Sequence, residues 1–321
     1  MRYGAPYQGS KNQIARWVID NLPEDKILVD LFAGGCAVTH AAMLSGKWDR
    51  IVANDIGDAP ELFCDAIDGK YADEKRWISR EDFQNLKDTD PYVSLCWSFG
   101  NNRRNYLYAR EVEPWKKALH YARVFGDNSL LLEMGIDSDG SPADIKANEA
   151  EYKEKYIHWW LSKQKYTSVE LARLYRLRQR LQRLQRLESL QSLERLESLQ
   201  SLQSLQSLEM YKNNLTITRK SYADVAIPDN AVVYADPPYK GTDAKGYKCD
   251  FDYAAFEKWL NEVPFMVIVS EYNAPAGCVE ITSIKKQSTF AQRNKGGTNT
   301  EKLFVQERFY NEYLQKTGRL F

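Results

Sequence analysis

The sequence predicts an α/β fold: a largely parallel, ligand-binding sheet interrupted by a mostly helical insertion that carries a leucine triplet repeat. Three observations predict it. Short apolar runs recur at 27–29, 51–53, 231–235 and 265–269, each bounded by polar or glycine-rich turns, as buried strands are. Helical stretches with apolar residues on one face follow several of them. Two of the runs end in chemistry. The first leads through Asp30 into a glycine turn, and the third leads into Asp236-Pro237-Pro238-Tyr239. Open α/β sheets hold their ligands at the carboxyl ends of strands.

The bulk properties bound the function. The chain has 321 residues, 43% of them hydrophobic, enough for one large or two modest domains with a true core. Net charge is zero, so the chain as a whole is no electrostatic nucleic-acid binder, and any basic surface is local. Cys36, Cys64, Cys96, Cys249 and Cys278 form no CxxC pair, and there are only three histidines. That argues against a zinc site or a disulfide framework and for a reducing compartment. With neither a secretory signal nor an apolar run of membrane-spanning length, the expectation is a soluble cytoplasmic protein without metal.

The elements follow in order. Residues 1–9 are extended and end Tyr7-Gln8-Gly9. Ser10 is the expected cap of a helix whose inner face is Ile14, Trp17, Val18 and Leu22. Lys11 then falls in the first turn, where a cation opposes the helix dipole. An anionic ligand would explain it; an ordinary solvated lysine is the plain alternative. The first strand runs into Asp30-Leu31-Phe32-Ala33-Gly34-Gly35-Cys36 and a helix through Leu44. Strand, glycine turn and helix bring backbone N–H groups close to a ligand, although a tight packing turn reads the same way. The second strand ends at Asn54-Asp55. An acid about 20 residues beyond such a turn can hold ribose hydroxyls, or it can cap the next helix.

From Ser79 the α/β rhythm lapses. Residues 97–110 mix aromatics with Asn101, Arg103 and Arg104, a combination suited to phosphate and base-edge contacts or to a packed polar loop. A helix starts at Glu113, residues 136–148 read as loop, and Glu151 to Gln164 reads as a helix with Tyr156, Trp159 and Trp160 inward. Residues 181–208 hold ten leucines at a strict spacing of three. On an α-helix such a row precesses by about −60° per unit and makes no flat face. A 3₁₀ helix would align the leucines, but long 3₁₀ runs are unfavourable. The expectation is a protruding α-helix or helical hairpin, a spacer adjustable by whole units. Six arginines from Arg173 to Arg186, with no acid between them, could follow a phosphate backbone or form a solvated face.

Beyond the repeat, 215–218 is a short strand and 231–235 the strand before Asp236. A helix around Phe256, Trp259 and Leu260 and a strand at 265–270 come next, and a hairpin is formed by 279–284 and 302–309. The loop between the hairpin arms carries Arg293 and Lys295, which suit a DNA-side contact. At Asp236-Pro237-Pro238-Tyr239 the prolines remove donors and stiffen the turn. The Asp236 carboxylate and the Pro237 carbonyl can then accept from one incoming NH2 group, and Tyr239 offers a flat face. A plain strand-ending turn is the alternative.

Taken in order, Tyr7-Gln8-Gly9-Ser10-Lys11, Asp30-Leu31-Phe32-Ala33-Gly34, Asn54-Asp55 and Asp236-Pro237-Pro238-Tyr239 resemble the Dam-type family of DNA adenine N6-methyltransferases. The resemblance spans roughly residues 1–125 and 210–310. It implies a Rossmann-like methyltransferase sheet, S-adenosylmethionine as cofactor and double-stranded DNA as substrate. It further implies DNA methylation, with or without a restriction partner. Tyr7, Lys11, Asp30, Phe32, Gly34, Asp55 and Asp236 would hold the cofactor. Asp236, Pro237 and Tyr239 would be catalytic, acting on an adenine flipped from the duplex. Asn101, Arg103, Arg104, Arg293 and Lys295 are the expected DNA contacts. The implied division is a first methyltransferase part at 1–84, target recognition at 85–170, the repeat at 171–209 and a second methyltransferase part at 210–321. Two positions depart from the pattern: Cys36 stands where the family has a second glycine, and Tyr7 where its best-known members have Trp. A GATC-like site is the family's familiar case. The rival readings are cytosine N4, RNA or protein methylation, and a non-catalytic scaffold built on the repeat.

Overall fold

The structure, a computed structural model, describes residues 2–163, 199–239, 251–287 and 298–319. The chain divides into two compact units, 1–72 with 199–321, and 73–198.

The first unit is built on seven strands: β1 (Ile27–Asp30), β2 (Arg50–Asn54), β3 (Leu215–Thr218), β4 (Ala231–Ala235), β5 (Val267–Glu271), β6 (Cys278–Gln287) and β7 (Thr298–Gln306). They lie in the order β3-β2-β1-β4-β5-β7-β6. The first five are parallel, and β7 runs antiparallel to both β5 and β6. Strands β1 and β5 are buried at every position, which is why residues 27–29 and 267–269 read as apolar runs rather than alternating ones. Helices α1 (Ala15–Asn21), α2 (Ala37–Ser45) and α3 (Ala59–Ile67) follow the N-terminal segment, β1 and β2. On one face of the sheet Val29, Leu31, Val233 and Val269 pack with Phe256 and Leu260 of the helix Tyr253–Glu262.

The chain turns outward in two directions from β1, toward β2 and β3 on one side and β4 and β5 on the other. Asp30 ends β1, its Cα register partner in β4 is Tyr234, and Asp236 lies just past that strand. Two acids 206 positions apart in sequence thus meet at the switch point, where α/β sheets open a crevice.

Two local expectations are corrected. The first helix begins at Ala15 after Ile14, not at Ser10. Ser10 instead accepts the Asn12 N–H at 3.2 Å, a local side-chain turn that competes with helix. Within 136–148, read as loop, Ser141 caps a helix Pro142–Ala147 and accepts the Asp144 N–H at 3.2 Å. The Ser-Pro pair that signals a turn is equally the start of a helix with proline in its first position.

Of the leucine repeat, residues 199–208 are described and the rest lies outside the described residues, as does the arginine row ahead of it. Residues 199–204 are α-helical, and a 3₁₀ helix runs from Leu205 to Asn214. Leu202, Leu205 and Leu208 are fully buried. This end of the repeat is packed into the first unit rather than projecting from it. Gln203 donates to the Ala72 carbonyl at 3.0 Å, Ser201 donates to the Gly4 carbonyl at 3.2 Å, and Lys212 pairs with Asp68. A period of three matches the 3₁₀ pitch, so Leu205 and Leu208 share one face, and their burial offsets the poorer hydrogen bonding.

The described part of the second unit is helical, around a core of Ala118, Leu119, Leu131, Ile136, Tyr152 and Tyr156. Its one isolated strand pairing among the described residues joins Ser98 to Tyr106 and closes a turn. No helix of the described residues is long and apolar enough to cross a membrane.

Candidate active site

The glycine turn after β1 is held from several sides. Gly34 has a left-handed φ of +49°, and a Cβ there would come within 2.7 Å of the Tyr7 ring. A Cβ on Gly35 would meet the Ala5 carbonyl at 2.5 Å. Both positions need glycine, one for its conformation and both for the close approach of the N-terminal segment. Cys36 is also left-handed, with φ 60° and ψ 34°, and buried. This explains why glycine suits that position, and the thiol costs about 1 kcal/mol in backbone strain. Asp55 braces the turn from β2: one carboxylate oxygen accepts the Gly34 N–H at 2.8 Å and the other the Gly57 N–H at 2.7 Å. Asn54 beside it donates to the carbonyls of Leu31 and Lys220 at 3.1 and 3.0 Å, tying the end of β1 to the segment after β3.

Asp30 is 1% exposed. Oδ2 accepts the Thr39 hydroxyl at 2.8 Å, and Oδ1 is buried without a hydrogen-bond partner. Burial pushes its pKa up to about 7; the Thr39 bond opposes this, and the charges of Asp236 and Asp55 add to it. His40, one position after Thr39, is held neutral by burial, its pKa down to about 4, and Nδ1 accepts the Gly4 N–H at 2.9 Å. Phe32 packs into an aromatic cluster with Tyr222, Phe251 and Phe256.

Lys11 is neither a solvated lysine nor a helix-turn cation. It lies in the turn ahead of α1 with its side chain 8% exposed. Its ammonium sits 2.7 Å from Asp236 Oδ1 and 3.4 Å from Glu301 Oε1. It also lies 4.5 Å from the centre of the Tyr239 ring. The Tyr239 hydroxyl donates to Glu301 Oε1 and lies 2.9 Å from Ser270 Oγ, which donates to the same Glu301 oxygen at 3.1 Å. Tyr253 donates to the Tyr239 carbonyl at 2.8 Å, and Tyr272 meets the Tyr239 ring edge-on. Burial raises the pKa of Asp236, Lys11 opposes the rise and Glu301 adds to it. The Asp236 side chain keeps 15% of its surface exposed, so a ligand can reach it.

The first unit therefore gathers Tyr7, Lys11, Asp30, Gly34, Asp55, Asp236 and Tyr239 along the carboxyl edge of the sheet. Three partners carried no sequence signal: Thr39, Ser270 and Glu301. Glu301 reaches the site because β7 is antiparallel to its neighbours. Ser270 pairs with Leu303 and Glu271 with Lys302, so the start of β7 lies beside the end of β5.

Of the expected DNA contacts, Arg104 is exposed, while Arg103 is half-buried with its guanidinium 3.5 Å from the Ser94 hydroxyl. Asn101 donates to the Leu95 carbonyl at 2.8 Å. Asn101 and Arg103 both have left-handed φ, 55° and 61°. Arg293 and Lys295 lie outside the described residues.

The residues present fit a cationic cofactor. Among the described residues, Asp30, Asp236 and Glu301 set three carboxylates against the one ammonium of Lys11, and Asp30 Oδ1 is a buried acceptor without a donor. A ligand with a sulfonium and an α-ammonium group answers that surplus. No group of acids, histidines and cysteines among the described residues is arranged to hold a metal.

Residues 7–135 match the model of a family described as D12 class N6 adenine-specific DNA methyltransferase. The match takes in the first three motifs and ends before Asp236. No curated protein matches the chain.

Proposed function

We propose that the chain is a D12-class N6 adenine-specific DNA methyltransferase with S-adenosylmethionine as methyl donor, a reading supported by the match of residues 7–135 to that family's model, and we assign the following roles. The enzyme acts on an adenine turned out of double-stranded DNA, and the transfer is direct and in line. The observation that carries this is Asp236 at the end of β4, beside β1 at the switch point, ion-paired to Lys11 and still open to a ligand.

Asp236 and the Pro237 carbonyl accept hydrogen bonds from the adenine amino group and orient its lone pair. Tyr239 and the Lys11 ammonium bound the base pocket, and the Glu301 and Ser270 contacts keep the Tyr239 ring from turning. Asp30 and Asp55 take the polar groups of the cofactor, the glycine turn at Gly34 allows its close approach, and Phe32 and Tyr7 supply ring surface. When bound, S-adenosylmethionine would supply an electrophilic methyl group; Asp236 and the Pro237 carbonyl would hold the amino nitrogen toward it, and that nitrogen would shed its proton to solvent. The rate gain is ascribed mainly to proximity and orientation. Asn101, Arg103 and Arg104 are proposed as DNA contacts of the second unit, which would supply target recognition, and Arg293 and Lys295 as contacts from the β6–β7 connection.

The test uses tritiated S-adenosylmethionine with defined duplex DNA, comparing wild type with Asp236→Ala and analysing the nucleosides. Label in N6-methyladenine that disappears in the variant is expected. Persistent N6-methyladenine in Asp236→Ala would refute the role of Asp236, and label in N4-methylcytosine would refute the base.

A further inference from the structure

Glu301 is an acid at this site that no sequence motif announces, and its surroundings give it more to do than fill the sheet. It is 1% exposed. One carboxylate oxygen gathers the Lys11 ammonium, the Tyr239 hydroxyl and the Ser270 hydroxyl. Two of these donors belong to residues at the base pocket, and the third comes from the neighbouring strand β5. A buried carboxylate with no catalytic use is costly to retain, and an apolar residue would fill the same space. Removing it would release both the ammonium that pairs with Asp236 and the hydroxyl that fixes the ring of Tyr239.

We propose that Glu301 is a positioning residue for methyl transfer: through Lys11 it sets where the Asp236 carboxylate lies, and through the Tyr239 hydroxyl it sets the plane of the ring that bounds the base. The inference rests on the base-binding role given above to Asp236 and Tyr239. Charge enters as well as geometry. The Glu301 carboxylate is among the influences that raise the pKa of Asp236, so a neutral isostere lets Asp236 ionise at lower pH.

The experiment compares wild type, Glu301→Gln, Tyr239→Phe and the double variant on duplex DNA across pH. Cofactor affinity is measured by calorimetry with S-adenosylmethionine alone, and folding by thermal melting. Glu301→Gln is expected to lower kcat by up to about 100-fold, as a misplacement of about 1 Å at a reacting group does, while the cofactor Kd moves less than about threefold. The acid limb of kcat/KM moves to lower pH. The double variant loses less than the product of the single losses, because both substitutions cut the same link. A Glu301→Gln enzyme with wild-type kcat and an unmoved acid limb would overturn the proposal, as would independent losses in the double variant. A rate loss that only tracks the folded fraction also counts against it. If Glu301→Gln does not fold, Glu301→Asp, which keeps the charge but shortens its reach, and Tyr239→Phe carry the rate comparison instead, and wild-type kcat in both would overturn the proposal. Asp236→Ala separates the two readings: transfer persisting there sinks the assigned chemistry, whereas an inactive Asp236→Ala beside a normal Glu301→Gln sinks the positioning role alone.

Discussion

Replacing Asp30 with Asn should change how stability depends on pH, and the size can be worked from the site. The carboxyl lies at the end of β1, fully buried, with one oxygen on Thr39 and the other unpartnered. Its pKa rises from 3.8 to about 7 in the folded protein. An acid whose folded pKa is raised destabilises the fold as pH rises: below 3.8 both states hold the proton, and between 3.8 and 7 the unfolded chain gives it up while the folded one keeps it. At about 1.36 kcal/mol per pH unit, the cost is about 2 kcal/mol at pH 5 and levels off at about 4 kcal/mol above pH 7. Asn can still accept from Thr39 and never ionises. Its amide leaves a buried donor needing a partner, a penalty of about 1–3 kcal/mol that does not vary with pH. The expected signature is therefore a double difference. The stability of Asp30→Asn relative to wild type increases by about 2–3 kcal/mol between pH 5 and pH 8, whatever its sign at either pH. Urea denaturation of the cofactor-free proteins at the two pH values measures it. Parallel stability curves for the two proteins would refute the burial argument. The same variant should bind S-adenosylmethionine more weakly, which would mark Asp30 as a charge kept at the expense of stability for binding.

Three further outcomes follow from other parts of the structure. Lys11→Met leaves Asp236 and Glu301 facing each other without a cation and should cost about 3 kcal/mol at pH 8. The loss shrinks toward acid pH, because burial already shifts Asp236 upward and its protonation relieves the unpaired charges; an equal loss at acid and alkaline pH in thermal melts would count against the ion cluster. Leu205→Ala removes a fully buried leucine at the docked end of the repeat and should destabilise the protein by about 2–4 kcal/mol, whereas the exposed neighbour Ser204→Ala should change little. Similar melting temperatures for the two would mean the repeat is not packed there. Cys36→Val forces a β-branched side chain into a left-handed position and should cost about 2 kcal/mol or more. Cys36→Gly should stay within about 1 kcal/mol of wild type and keep activity. Chemical denaturation orders the three proteins, and a stable Cys36→Val would contradict the backbone geometry.

The sequence by itself determined the strands and their chemistry. Strands buried on both faces must be apolar throughout, so β1, β4 and β5 stood out, and Asp30, Asn54-Asp55 and Asp236 stood out as polar residues at their ends. Glycines at 34 and 35 read as a turn needing close approach, and the structure shows what approaches: Tyr7 and Ala5. Where side chains compete locally with the backbone, residue pattern alone does not decide between turn and cap. Ser10 made a turn of its own instead of a cap, and Ser141 capped a helix that looked like loop. The repeat carried its period but not its conformation, since the choice between α and 3₁₀ depends on which surface the leucines meet. Leu205 and Leu208 are buried in the 3₁₀ segment that packs against α2 and α3, and Leu202 is buried just ahead of it. Only the tertiary structure decided that Lys11 is a buried partner of Asp236, and that Glu301 belongs to the site at all. An isolated lysine or glutamate carries no local pattern. What selects them is the antiparallel entry of β7 beside β5, which sets a residue from near the end of the chain against one from its first turn. Pairings of that range are written in strand order, and strand order is a property of the packed sheet rather than of any one segment.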